Sequence, residues 1–142
     1  MTLKKQEFYE GAALHLLART GSVTSLSYVS PFFYFNKSVA ALLKYSTKGR
    51  SPWGFTFTPE EQTLLQETAR NAAFRTVIGL VCGSDGVASF TYQSFQEIAP
   101  PRAAALHLSC YRPHRNHYEV CGPDGTLSRK VAPSNWQKIL EF

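Results

Sequence analysis

The chain has 142 residues, of which 44% are hydrophobic and 18% charged, with a formal net charge of +5. That is one domain of ordinary size with material for a core, which excludes a disordered chain. No apolar run approaches a membrane span, and the opening stretch MTLKKQEFYE lacks the apolar heart of a signal peptide, so a cytoplasmic protein with no membrane partner is expected.

Thr2 can cap a first helix over Leu3 to Ala18. On its wheel Phe8, Tyr9, Ala12, Ala13, Leu14, Leu16 and Leu17 share one broad arc. Glu10 falls inside that arc, where a carboxylate is costly without a partner, so it is expected at the rim of the core or facing a site. The run VTSLSYVSPFFYFN reads as one strand, alternating at first and then continuously apolar at Phe32–Phe35, with Pro31 marking a break or an edge. VAALLKYST follows as a strand with Leu43 and Tyr45 on one face and Leu42, Lys44 and Ser46 on the other. After the turn KGRSP, GFTFT reads as a further strand with Phe55 and Phe57 inward.

TPEEQTLLQETARNAAF carries the clearest helix signals. Thr58 is the N-cap, Pro59 suits the first turn and Glu61 completes a capping box, with Leu65, Ala69, Ala72 and Ala73 as the buried stripe. TVIGLVCG is a fully apolar strand suited to the middle of a sheet, and GSDG turns it into VASFTYQ as a hairpin. SFQEIAPP offers a short helix capped by Ser94 and stopped by Pro100. AAALHLSCY, HYEV and TLSRKV read as strands, and SNWQKILEF as a last helix capped by Ser134 and docked through Trp136, Ile139 and Leu140. Mixed strands and helices without a linker predict a single α/β or α+β domain with a mixed central sheet flanked by helices.

Charge is distributed unevenly. Residues 1–58 hold seven Lys/Arg against two acids, residues 59–99 two against five, and residues 100–142 six against three. A polyanion partner suits such a pattern. Lys37, Lys44, Lys48 and Arg50, with Tyr45 and Trp53, form a basic stretch interleaved with aromatics, in which cations could track phosphates while rings stack on bases. Arg112 and Arg115 extend the candidate surface from the C-terminal hairpins, as could Arg129 and Lys130.

The order of elements, with YEGAALHLLARTG in the first helix, FYFNKS at the end of one strand and LLKYSTK in the next, resembles the restriction-endonuclease-like superfamily, the PD-(D/E)XK nucleases. Its core is a helix, a three-stranded meander, a crossover helix and a further strand. The resemblance covers residues 3–82 of the single domain 1–142 and leaves the hairpins and helix of 83–142 as decoration. It implies Glu10 as the helix glutamate, Asn36 and Leu42 in the places of the two strand acids, and Lys44 as the lysine. Two of the usual acids are therefore missing, and residues 11 to 59 contain no Asp or Glu. The family's chemistry needs carboxylate oxygens to hold Mg²⁺. Glu10, Asn36 and Lys44 are thus expected as the remains of a catalytic site without cofactor or metal. The implied protein is a catalytically degenerate module that binds DNA or RNA phosphate. The alternatives are a protein–protein module, such as an inhibitor, assembly subunit or homodimer, and a Mg²⁺-dependent nuclease whose site a partner completes.

Other constellations are weaker. Cys82, Cys110 and Cys121 are odd in number and read as free thiols. His107, Cys110, His114, His117 and Cys121 invite a zinc reading, but the spacing is not that of a finger, and His107 and Cys110 fall on opposite faces of one strand. Cys82 at the end of an apolar strand is the one candidate thiol nucleophile, against the commoner role of cysteine as a small buried hydrophobe.

Overall fold

The computed structural model describes residues 2–114 and 116–141. Among these residues nine strands lie in two sheets with three helices between and beside them. The expected α/β domain with a mixed sheet flanked by helices is formed, with a second sheet added. Among the described residues no helix is long and apolar enough to cross a membrane.

Helix α1 spans Lys5–Ala18. It starts later than Thr2 would set it, because the Glu7 carboxylate accepts the backbone N–H of Lys4 at 2.9 Å. Its buried residues are Glu10, Ala13 and Leu17, and Phe8 and Ala12 of the expected arc face water. Strands β1 (Leu26–Val29), β2 (Phe32–Phe35) and β3 (Val39–Ser46) form an antiparallel meander; the run expected as one strand folds at Pro31 into the hairpin β1–β2. Strand β4 (Trp53–Phe57) then leaves that sheet, and α2 (Pro59–Ala69) crosses over to β5 (Arg75–Cys82), which lies parallel to β3. Strand β6 (Gly86–Thr91) returns as a hairpin, giving the order β1-β2-β3-β5-β6.

The second sheet has the order β4-β7-β8-β9, with β7 Leu106–Tyr111, β8 Glu119–Gly122 and β9 Gly125–Thr126. The division at residue 82 therefore does not separate core from decoration. Strand β4 belongs with the C-terminal strands, and β6 belongs with the N-terminal ones. The stretch TLSRKV contributes little strand, only the end of β9 and a bridge from Val131 to Tyr118.

The first sheet is covered on both faces. On one, Leu42, Ile78 and Leu80 pack against Phe55, Phe57, Leu65, Phe95 and Leu108 of the second sheet, α2 and α3 (Tyr92–Ile98). On the other, Phe33, Phe35, Leu43 and Val77 pack against Ala13, Leu17, Trp136 and Ile139. The Trp136 indole donates to the Ala13 carbonyl at 2.8 Å, tying the C-terminal segment to α1. Gly79 permits this contact, since a Cβ there would lie 2.6 Å from Leu43 and 3.3 Å from Trp136.

Several local expectations change. The C-terminal helix is only a 3-10 turn at Trp136–Lys138, and Asn135, not Ser134, precedes it. Thr91 caps α3 by accepting the Ser94 N–H at 3.2 Å, so Ser94 lies inside the helix. The α2 box forms as expected, but the helix ends at Ala69, leaving Ala72 and Ala73 exposed beyond it while Gln62 joins Leu65 in the buried stripe.

Candidate functional site

Lys44 lies near the end of β3, on the Leu42 face as its alternation requires. Its ammonium would be stranded above an apolar layer, 5.4 Å from the centre of the Phe57 ring, without a counter-charge. Helix α2 supplies one: Nζ donates to both oxygens of Glu61, at 3.0 and 2.9 Å. The same carboxylate caps its helix by accepting the Thr58 backbone N–H at 3.0 Å. Glu61 thus joins the site because the capping box that starts α2 sits over β3.

Glu10 reaches the same place from α1. It is 9% exposed, and its side chain accepts from the Gln6 amide at 3.1 Å. Burial pushes its carboxyl above the ordinary carboxylate range, Gln6 works in the opposite direction, and the nearby Glu7 charge adds a smaller upward push. Gln6, Glu10, Lys44 and Glu61 line one cleft of about 410 Å³, with Pro31 and Thr56 at its walls.

The other two expected positions do not join this set. Leu42 lines the cleft but is 1% exposed and belongs to the core. Asn36 lies at the opposite end of the β2–β3 hairpin, next to Phe35, whose register partner is Val39. Its side chain closes the loop before β1, accepting from the backbone N–H groups of Thr24 at 2.6 Å and Ser25 at 3.1 Å, and donating to the Ser22 carbonyl at 2.8 Å.

The donor set does not suit Mg²⁺ as arranged. A hard divalent cation needs several oxygen ligands. Glu10 and Glu61 are the two carboxylates lining the cleft, and both Glu61 oxygens are bound to Lys44.

The basic stretch is distributed over distant parts of the molecule. Lys37 sits in the β2–β3 turn with a positive φ of 55°, and Lys48 lies beyond the far end of β3. At about 3.3 Å per strand residue, the intervening strand separates them by roughly 25 Å. Lys48 is exposed and donates to the Pro52 carbonyl at 3.0 Å. Arg50 and Arg112 line one cleft of about 440 Å³ with Asp85 and His114. Arg112 is already engaged: it pairs with Asp85 at 2.8 Å, donates to the Asn116 carbonyl at 2.8 Å, and stacks on the Tyr118 ring. Tyr118 donates to the same Asp85 oxygen at 2.6 Å. Trp53 corrects the expectation of a stacking ring. It is 2% exposed, packs against Tyr118, and donates to the Lys48 carbonyl at 2.9 Å, so no ring face is open to a base. Arg115 lies outside the described residues.

Two of the three thiols lie in the core. Cys82 and Cys110 are buried with their sulfurs 3.8 Å apart across the two sheets, and the neighbouring thiol and burial push the Cys82 pKa far up, away from nucleophilic thiolate. His107 points outward from β7 and Cys110 inward, as alternation requires. Among the described residues no group of three or more His, Cys, Asp or Glu side chains could hold a metal ion.

Glu61 and Gln6 are the site residues that sequence reasoning missed. Gln6 stands four residues before Glu10 on one helix face, a spacing that was legible. In the sequence Glu61 has the place of a cap, and nothing local connects it with a lysine seventeen residues earlier. No protein-family model and no curated protein matches the chain.

Proposed function

We propose that the protein is a nucleic-acid-associated module with a nuclease-like core whose catalytic site is degenerate. The observation that carries this reading is the meeting of Glu10 and Lys44, from α1 and β3, in one cleft. The meander β1-β2-β3 and the parallel pairing of β3 with β5 through crossover helix α2 support it, as in the resembling core, with β4 inserted between β3 and α2. Degeneracy follows from chemistry: the lysine is neutralised by Glu61, Leu42 offers no oxygen, and Asn36 is committed elsewhere. Phosphate binding then falls to the exposed cations beyond the end of β3, Lys48 and Arg50, because Arg112 is already paired with Asp85.

Fluorescence anisotropy of labelled duplex and single-stranded DNA, at two salt concentrations, tests this. Binding should weaken steeply with salt, and Lys48→Ala and Arg50→Ala should each lower the salt slope by about one. No binding at low salt removes the reading. Cleavage in Mg²⁺ or Mn²⁺ that is lost in Glu10→Ala would replace degeneracy with an active nuclease.

One observation favours a protein partner instead. Strand β1 is an edge strand exposed along its whole length, with Leu26, Tyr28 and Val29 at 50%, 48% and 64% exposure. Residues 20–36 contain no charged side chain, so the edge lacks the usual guard against strand pairing. On this second reading another copy of the chain adds antiparallel to β1. A monomer by sedimentation at high concentration would rule it out.

A further inference from the structure

Three charged side chains line the cleft of about 410 Å³: Glu10, Lys44 and Glu61. Lys44 and Glu61 neutralise each other, Nζ donating to both carboxylate oxygens at 3.0 and 2.9 Å. Glu10 is the charge left over, and the neighbouring charge that acts on it is another acid, Glu7.

Glu10 is 9% exposed, and a carboxylate placed so deeply is costly unless a cation joins it. Packing does not call for an acid here, since the other buried positions of α1 are Ala13 and Leu17. The carboxylate has a neutral hydrogen bond from the Gln6 amide to Oε2, at 3.1 Å. Oε1 accepts nothing from the described residues, and unlike the Thr76 hydroxyl it is not enclosed. Glu10 lines the cleft, so a ligand seated there can reach that oxygen. The chemistry of the ligand follows from what is free. A hard divalent ion needs several oxygens, and Glu61 is committed to Lys44. A guanidinium grips a carboxylate best through both oxygens, and Oε2 is taken. A primary ammonium is a compact charge that needs one, and the Gln6 side-chain carbonyl beside Glu10 gives it a second acceptor. Pro31 and the Tyr45 ring supply apolar surface for the alkyl chain behind it.

We propose that this cleft binds a primary alkylammonium group, received by Oε1 of Glu10. Its carrier is a free amine or a lysine side chain of a partner protein, and the test separates the two. The inference rests on the reading above only in that the cleft holds no metal. Nucleic acid is absent from the titrations below, so their failure leaves the salt-dependent DNA binding of Lys48 and Arg50 to be judged by itself, and the reverse.

Calorimetric titration with butylamine, with butanol, and with a short peptide carrying one lysine, free or acetylated, tests it. The net charge of +5 disfavours diffuse binding of cations, so a saturable response reports a local site. Saturable binding of butylamine but not of butanol supports a free amine. Binding of the lysine peptide that is lost on acetylation, without binding of butylamine, supports a partner's side chain. Glu10→Gln keeps the shape and an acceptor for Gln6, and should weaken binding about tenfold or more while leaving the urea midpoint at neutral pH unchanged or higher. The proposal is overturned if neither butylamine nor the lysine peptide binds better than its uncharged counterpart, or if Glu10→Gln keeps full affinity.

Discussion

The two sheets differ in how they meet water, and the difference explains where polar chemistry sits. In the five-stranded sheet β3 and β5 are buried along most of their length on both faces. In the four-stranded sheet β4 and β7 alternate, with Phe55, Phe57, Leu106 and Leu108 inward and Thr56, His107 and Ser109 outward. A polar group on the wet face needs no dedicated partner; Thr56 and His107 simply bond each other at 2.9 Å in an exposed position. A polar group on the covered sheet has no water to turn to and depends on what packs against it. Lys44 has Glu61, whereas Thr76 has none among the described residues.

The largest expected effect tests the double covering itself. Trp136→Ala should cost about 3–5 kcal/mol in urea unfolding, because it opens a cavity beneath α1 and removes the indole's hydrogen bond to the Ala13 carbonyl. A cost below about 1 kcal/mol would mean that the C-terminal segment is not part of the core. Glu61→Ala comes next, at roughly 1–2 kcal/mol, combining a lost cap with a half-buried lysine left unpaired. Glu61→Gln keeps an acceptor for the Thr58 N–H and should cost less, so equal losses would show that the cap contributes nothing.

Glu10→Gln sharpens the contrast through pH. The folded protein holds the Glu10 carboxyl above its ordinary value of 4.5, so the native state binds that proton more tightly than the unfolded chain. Its contribution is fully present below 4.5 and is lost as pH rises through the raised value. The stability of Glu10→Gln relative to the unaltered protein should therefore improve across that rise, and a difference that stays flat with pH would show that burial does not govern this carboxyl. The smallest effect belongs to the wet sheet. Thr56→Ala should change stability by no more than about 0.5 kcal/mol, and a larger loss would mean that the outward face is covered in solution.

Much of the fold was legible in short stretches. Continuous apolarity marked β5 as an inner strand, alternation put Leu43 and Lys44 on opposite faces of β3, and Thr58 with Glu61 marked the start of α2. Glu10 was legible as a misplaced carboxylate, and it is buried. The errors occurred where competing local signals were equally plausible. Thr91 and Ser94 are both good caps, and the chain uses the first; Trp53 among lysines reads as a surface ring, but its alternation with Phe55 and Phe57 carries it inward.

The sequence by itself determined most of the segments that become strands and helices and the apolar faces of the inner strands, because period and capping act over a few residues. Only the tertiary structure decided that β4 leaves the meander for a second sheet, that Asn36 and Lys44 lie at opposite ends of a hairpin, and that Glu61 meets Lys44. Those outcomes depend on how whole faces pack and on which distant charge can relieve a buried one, and neither is encoded in the spacing of neighbours along the chain.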